Sequence, residues 1–111
     1  MFTCLAEKIR AATIAARKGM LVCVAAGNEG NKPWYYIDAP ADADSILAVG
    51  AVTPQGSIAG FSSRGPSSDG RTKPDVCAVG SGTCLLHPDY TSPFYGNGTS
   101  FACPLIAGMA A

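Results

Sequence analysis

The feature that most constrains the fold is an amphipathic helix pattern that stops at a glycine and runs straight into a short, wholly apolar segment. Leu5, Ile9, Ala12 and Ala16 recur at helical spacing, while Glu7, Lys8, Arg10, Arg17 and Lys18 fall mostly elsewhere around the wheel. Residues 3–18 are therefore expected to form a helix with one apolar face. Thr3 is a candidate N-cap, since its hydroxyl can accept a hydrogen bond from a first-turn N–H that has no partner within the helix. Gly19 follows the last periodic residue, where a left-handed cap is needed, and Arg17 and Lys18 suit the negative end of the helix. Residues 21–26, Leu-Val-Cys-Val-Ala-Ala, then read as a strand covered on both faces, as in a parallel sheet flanked by helices. A helix followed by a buried strand points to an α/β architecture.

The same signal recurs downstream. Residues 45–52, Ser-Ile-Leu-Ala-Val-Gly-Ala-Val, are the next strand candidate and end at the turn Thr53-Pro54-Gln55-Gly56. A Ser/Gly/Pro loop over residues 61–70 precedes short strand candidates at 75–79 and 83–87. Residues 99–111 are small or apolar on every side of a helical wheel, so a helix there is expected to be buried all round; Pro104 is tolerable because it lies near the helix start. The chain stops at Met109-Ala110-Ala111 without a cap or turn residue, as if cut inside that helix. One domain, or part of one, over residues 1–111 is expected.

Composition excludes several classes of function. Of the 111 residues 48% are hydrophobic and 14% charged, the make-up of a chain that folds rather than stays disordered. Eight basic and eight acidic side chains cancel, leaving no electrostatic footprint for nucleic acid or an anionic membrane. The longest apolar runs fall far short of the ~20 residues needed to cross a bilayer. The N-terminus places charges where a signal peptide would need its apolar region, so secretion is not encoded in this stretch. Five cysteines are scattered without a Cys-x-x-Cys pair, and a single histidine is present, which argues against zinc. Most of the cysteines sit among small apolar neighbours and read as compact hydrophobes, with a Cys77–Cys84 disulfide as the alternative.

Tyr95-Gly96-Asn97-Gly98-Thr99-Ser100 leads from a glycine-rich turn into the apolar helix, which places the Ser100 hydroxyl and backbone N–H at the positive helix end. That position favours developing negative charge, and Gly98 keeps the approach free of a side chain. Taken alone, a serine at a helix start is more often an N-cap than a nucleophile.

The whole chain adds to that reading. Gly98-Thr99-Ser100-Phe101-Ala102-Cys103-Pro104-Leu105-Ile106-Ala107-Gly108 resembles the nucleophile segment of the subtilisin-like serine peptidases, Gly-Thr-Ser-x-Ala-x-Pro followed by apolar residues and Gly. Ala25-Ala26-Gly27-Asn28-Glu29-Gly30 resembles the family's oxyanion segment. Residues 46–52, Phe61-Ser62-Ser63-Arg64-Gly65-Pro66 and Lys73-Pro74-Asp75-Val76 match in the family's order and approximate spacing. The resemblance implies a partial subtilisin-like α/β fold, a mostly parallel sheet flanked by helices and truncated at both ends. It implies peptide-bond hydrolysis through an acyl-enzyme on Ser100, with Asn28 and the Ser100 N–H stabilising the oxyanion. Ala25, Ala26 and Gly27 would form one wall of the pocket for the side chain before the cut bond, and Asp38 would sit near its floor, favouring a basic side chain.

The family's triad runs Asp, His, Ser along the chain, and neither an Asp-Ser/Thr-Gly nor a His-Gly-Thr segment occurs here. The single histidine, His87, matches no family motif. The isolated chain is therefore expected to be inactive, with a polypeptide as the substrate of the complete protein and the missing N-terminal part of the domain as its partner. An exposed sheet edge would favour self-association. No cofactor is expected. The resemblance allows calcium, although no compact carboxylate cluster argues for it, and it implies a secreted or periplasmic setting. Two rivals remain: a non-catalytic protein-binding or structural module derived from the same fold, and an unrelated α/β hydrolase, which would need a Gly-x-Ser-x-Gly elbow that Ser100 lacks.

Overall fold

The computed structural model describes residues 2–111, with side chains from residue 4 onward, so the proposed Thr3 cap lies outside the described side chains. Seven elements follow one another: α1 (Phe2–Arg17), β1 (Cys23–Ala25), β2 (Leu47–Val52), β3 (Val76–Val79), β4 (Thr83–Leu86), β5 (Pro93–Gly96) and α2 (Thr99–Ala110). The first three strands form a parallel sheet in the order β1-β2-β3, and β4 and β5 pair as an antiparallel ribbon.

Gly19 ends α1 as its position requires. It adopts φ +89°, and its N–H donates to the Ala16 carbonyl while the Met20 N–H reaches back to that of Ala15. These are the two bonds of a Schellman cap, satisfying carbonyls that the helix end would otherwise leave free. Ile9, Ala12 and Ala16 of the apolar stripe are half-buried, and Leu5 is more exposed.

The sheet separates two apolar layers because alternate side chains of a strand point to opposite faces. On one face Val49 and Ala51 of β2 pack with Ala59 and with Ala102 and Ile106 of α2. On the other, Ala48 packs with Ala26, Ile37 and Ala41 from the connection between β1 and β2. Polar groups tie this core together. The Ser62 hydroxyl accepts the Ala51 N–H at 3.0 Å. Asp75 Oδ2 accepts the Ala48 N–H at 2.7 Å and the ammonium of the buried Lys73 at 2.6 Å, while that ammonium also donates to the Ile46 carbonyl at 3.0 Å.

Four expectations change. Helix α2 is buried on one face only, through Thr99, Ala102 and Ile106; Leu105 and Met109 are 51% and 79% exposed, since the one sheet meets a single side of the helix. β1 is an edge strand and only half-buried, having a partner on one side alone. All five cysteines are free thiols, including Cys77 and Cys84, and Cys4, Cys77 and Cys84 are exposed rather than packed as hydrophobes. β5 had no strand signal, because Pro93 and Gly96 bound it and its side chains lie mostly in solvent.

Candidate active site

The site is built where the end of β1 meets the start of α2. The Gly98 N–H donates to the Gly80 carbonyl at 2.7 Å, and a Cβ on Gly80 would stand 2.7 Å from both the Gly98 oxygen and the Ala51 methyl. Only glycine at 80 permits this approach, which seats the first turn of α2 against β2 and β3. Ser100 lies exposed in that turn. Its backbone N–H enters no hydrogen bond among the described residues, so at the positive helix end it remains free to donate.

Asn28 stands opposite, and its amide orientation is fixed by chemistry. Its Oδ1 accepts the Thr99 N–H at 2.9 Å, a group that can only donate, and the Thr99 hydroxyl at 3.1 Å. The Thr99 hydroxyl in turn accepts the Gly27 N–H at 3.3 Å. With Oδ1 committed, Nδ2 and its two protons are the free end of the amide, and a Cβ on Gly98 would lie 3.8 Å from Nδ2. Gly98 thus leaves room beside the donor.

The loop around Asn28 is clasped from behind. Ser63, fully buried, donates its N–H to the Gly27 carbonyl at 2.9 Å and accepts the Glu29 N–H on its hydroxyl at 3.0 Å, while the Gly30 N–H donates to the Phe61 carbonyl at 2.9 Å. Gly27 has φ +109°, and a Cβ there would collide with the Asp38 carboxylate and come 2.8 Å from the Ser63 hydroxyl. Glycine is required on both grounds.

Asp38 lies under that glycine, in a cavity of about 500 Å³ that it lines with Leu5, Glu29, Trp34 and Asp42 among others. Burial raises its pKa, the neighbouring Glu29 charge raises it further, and Lys32 opposes both. Lys32 pairs with Glu29 at 2.8 Å. Asp42 Oδ1 is buried without a hydrogen-bond partner among the described residues. Ala26 points into the core, and Ala25, last of β1, is half-buried.

A family model described as the subtilase family matches residues 3–111. The chain belongs to the subtilase family. It is 33% identical to the serine protease AprX of Bacillus subtilis over 93% of this chain and 28% of that protein, and 40% identical to subtilisin E of the same organism over 87% of this chain and 24% of that protein. Among solved structures, the prenylagaramide maturation protease PagA superposes with a TM-score of 0.76 at 30% identity, over 92% of this chain and 34% of that one. The self-cleaved protease domain of PatA gives 0.75 at 28% identity, over 92% and 36%. The chain thus spans about a quarter of these curated relatives and about a third of these solved ones.

Within this subtilase segment His87 stands apart from Ser100. It lies beyond the end of β4, its Nδ1 2.8 Å from Asp89 Oδ1 and its ring edge-on to Phe94. The ribbon pairs Thr83 with Gly96 near α2 and Leu86 with Pro93 at its far end, a separation of about 10 Å at the usual strand rise. Among the described residues no three His, Cys, Asp or Glu side chains converge as metal ligands.

Sequence reasoning singled out Ser100 and Asn28 but not the residues that orient Asn28. Thr99 was in view within the Gly-Thr-Ser motif, and Ser63 within Phe-Ser-Ser. Their hydroxyl partners lie 71 and 34 residues away along the chain, beyond the reach of any local pattern.

Proposed function

We propose that this subtilase segment carries the charge-receiving half of a serine endopeptidase site. The carrying observation is the Thr99–Asn28 clasp, which leaves Asn28 Nδ2 and the Ser100 N–H as the two uncommitted donors beside the exposed Ser100. In the reaction the Ser100 hydroxyl attacks a peptide carbonyl, the oxygen gains negative charge, and those two donors hold it, already oriented before charge develops. The hydroxyl proton needs an acceptor, and among the described residues none is bonded to Ser100. The base and its orienting carboxylate would come from a part of the protein outside these residues, so the chain alone does not hydrolyse peptides.

The Asp38 cavity supports a preference for a basic side chain before the cut bond. Asp38 supplies negative charge to the concave surface, where Glu29 is already paired with Lys32, and Asp42 adds a buried carboxylate oxygen with no partner among the described residues. Since the pKa of Asp38 is raised, the preference should strengthen as pH rises through its titration. Asp38→Asn should lower cleavage after Lys and Arg and spare cleavage after Leu.

A fluorophosphonate probe tests the main reading. The full-length protein should be labelled, Ser100→Ala in it should not, and this chain alone should stay unlabelled. Labelling of the isolated chain that Ser100→Ala abolishes would overturn the claim that it is inactive. Absence of labelling in the full-length protein would instead favour a non-catalytic binding module.

A further inference from the structure

We propose that Cys23 and Cys103 form a dithiol site that closes, under a mild disulfide oxidant, into an internal disulfide joining β1 to α2. The register places Cys23 beside Leu47 and Ala25 beside Val49. Val49 and Ala51 face α2, and strand side chains alternate, so Cys23 lies on the α2 face as well. Cys23 and Cys103 both pack against the cluster of Val49, Ala51, Ala59, Ala102 and Ile106, one from the sheet and one from the helix. Cys23 also lines a crevice of about 290 Å³ with Ala107, which stands one turn beyond Cys103 on the same side of α2. The crevice is walled by small and apolar residues, so a small oxidant can reach Cys23 through it.

Electrostatics agree with this placement. Burial raises the pKa of Cys103, and the Cys23 sulfur raises it further, so the two groups lie near enough for one to feel the other's charge. Both are half-buried free thiols, whereas Cys4, Cys77 and Cys84 are exposed.

The chemistry balances with a small-molecule disulfide of the oxidised-glutathione class. One protein thiol loses its proton, and the thiolate attacks the oxidant's disulfide. One oxidant thiol leaves with a proton, and a mixed disulfide remains on the protein. The second protein thiolate then attacks the protein sulfur of that mixed disulfide and expels the second oxidant thiol. Two protein S–H bonds become one S–S bond, and the oxidant's S–S bond becomes two S–H bonds. An oxidising compartment would hold the product. The bond would tie the strand that leads into Asn28 to the helix turn that follows Ser100, so it would fix the spacing between them. The assignment does not depend on catalysis by Ser100.

The test uses this chain and the variant Cys4→Ser/Cys77→Ser/Cys84→Ser, which retains only the pair. Oxidised glutathione is added, the protein is digested without reduction, and the peptides are mapped by mass spectrometry. A cross-linked peptide joining Cys23 to Cys103 is expected in both proteins, with the free-thiol count of the triple variant falling from two to none, while the exposed Cys4, Cys77 and Cys84 of the native chain take up glutathione. Cys103→Ser should stop at a stable glutathione adduct on Cys23, and Cys23→Ser at one on Cys103. The thermal midpoint should rise by several degrees on oxidation and return with dithiothreitol. Glutathione adducts on both residues without the cross-link would overturn the proposal, as would cross-links found only between separate chains.

Discussion

Replacing Thr99 by Val keeps the shape of a fully buried side chain and removes its hydroxyl, which makes it a direct probe of the clasp that orients Asn28. Two hydrogen bonds disappear, at 3.1 and 3.3 Å, each at the long end of the useful range and worth about 1 kcal/mol or less. The Gly27 N–H loses its acceptor within a partly buried loop, which costs roughly 1–3 kcal/mol. Asn28 Oδ1 keeps the Thr99 N–H, and the added methyl group recovers about 0.8 kcal/mol by burial. The net loss is about 2 kcal/mol, or about 8 °C in midpoint for a chain of this length. Thr99→Ser keeps both bonds and gives up one buried methyl, about 1 kcal/mol. Denaturant unfolding of the three proteins should therefore rank them native, then Ser, then Val, with faster exchange of the Gly27 amide in the Val variant. A Val variant as stable as the Ser variant would show that the hydroxyl does not hold the loop.

Three further outcomes follow from other parts of the fold. Gly19→Ala forces a side chain into φ +89° and should destabilise the end of α1 by about 1 kcal/mol, read as earlier loss of helical circular dichroism and faster exchange of the Met20 amide. Lys73→Met removes the ammonium from Asp75 and the Ile46 carbonyl; because Asp75 keeps the Ala48 N–H and is partly exposed, the cost in denaturant unfolding should be about 2–3 kcal/mol. The Asp69 carboxyl, held first by the Ser67 hydroxyl and then by Arg71, should titrate at about 2 by NMR. Its folded pKa lies below the unfolded 3.8, so whatever it adds to stability is complete above about pH 4 and fades as pH falls towards 2; Ser67→Ala should raise the midpoint.

Local signals were legible where one residue type answers one backbone demand. Gly19 closes α1 within a residue of the expected end, and the apolar runs before Gly27 and Thr53 fall on β1 and β2. Burial was less legible, because a helical wheel records which side chains are apolar and not what covers them. Leu105 and Met109 satisfy the wheel and face solvent. β5 was hidden for a related reason: its order comes from pairing with β4, and Phe94 and Tyr95 show no alternation of buried and exposed sites.

The candidate site divides along the same line. Ser100 and Asn28 are visible as letters in a motif, whereas the direction of the Asn28 amide, on which its proposed role rests, is set by donors far along the chain. The Thr99 N–H and hydroxyl, the Gly27 N–H and the two bonds from Ser63 all begin and end within these residues. The proposed oxyanion donors are therefore oriented by these residues alone, so they and a general base can be perturbed separately. A loss of the base leaves Asn28 and the Ser100 N–H in place, while a loss of Thr99 or Ser63 loosens the donors and leaves the Ser100 hydroxyl untouched. On the proposed reading, stability and amide exchange of this chain would report on the charge-receiving part alone, and serine labelling of a full-length protein would report on the proton-moving part.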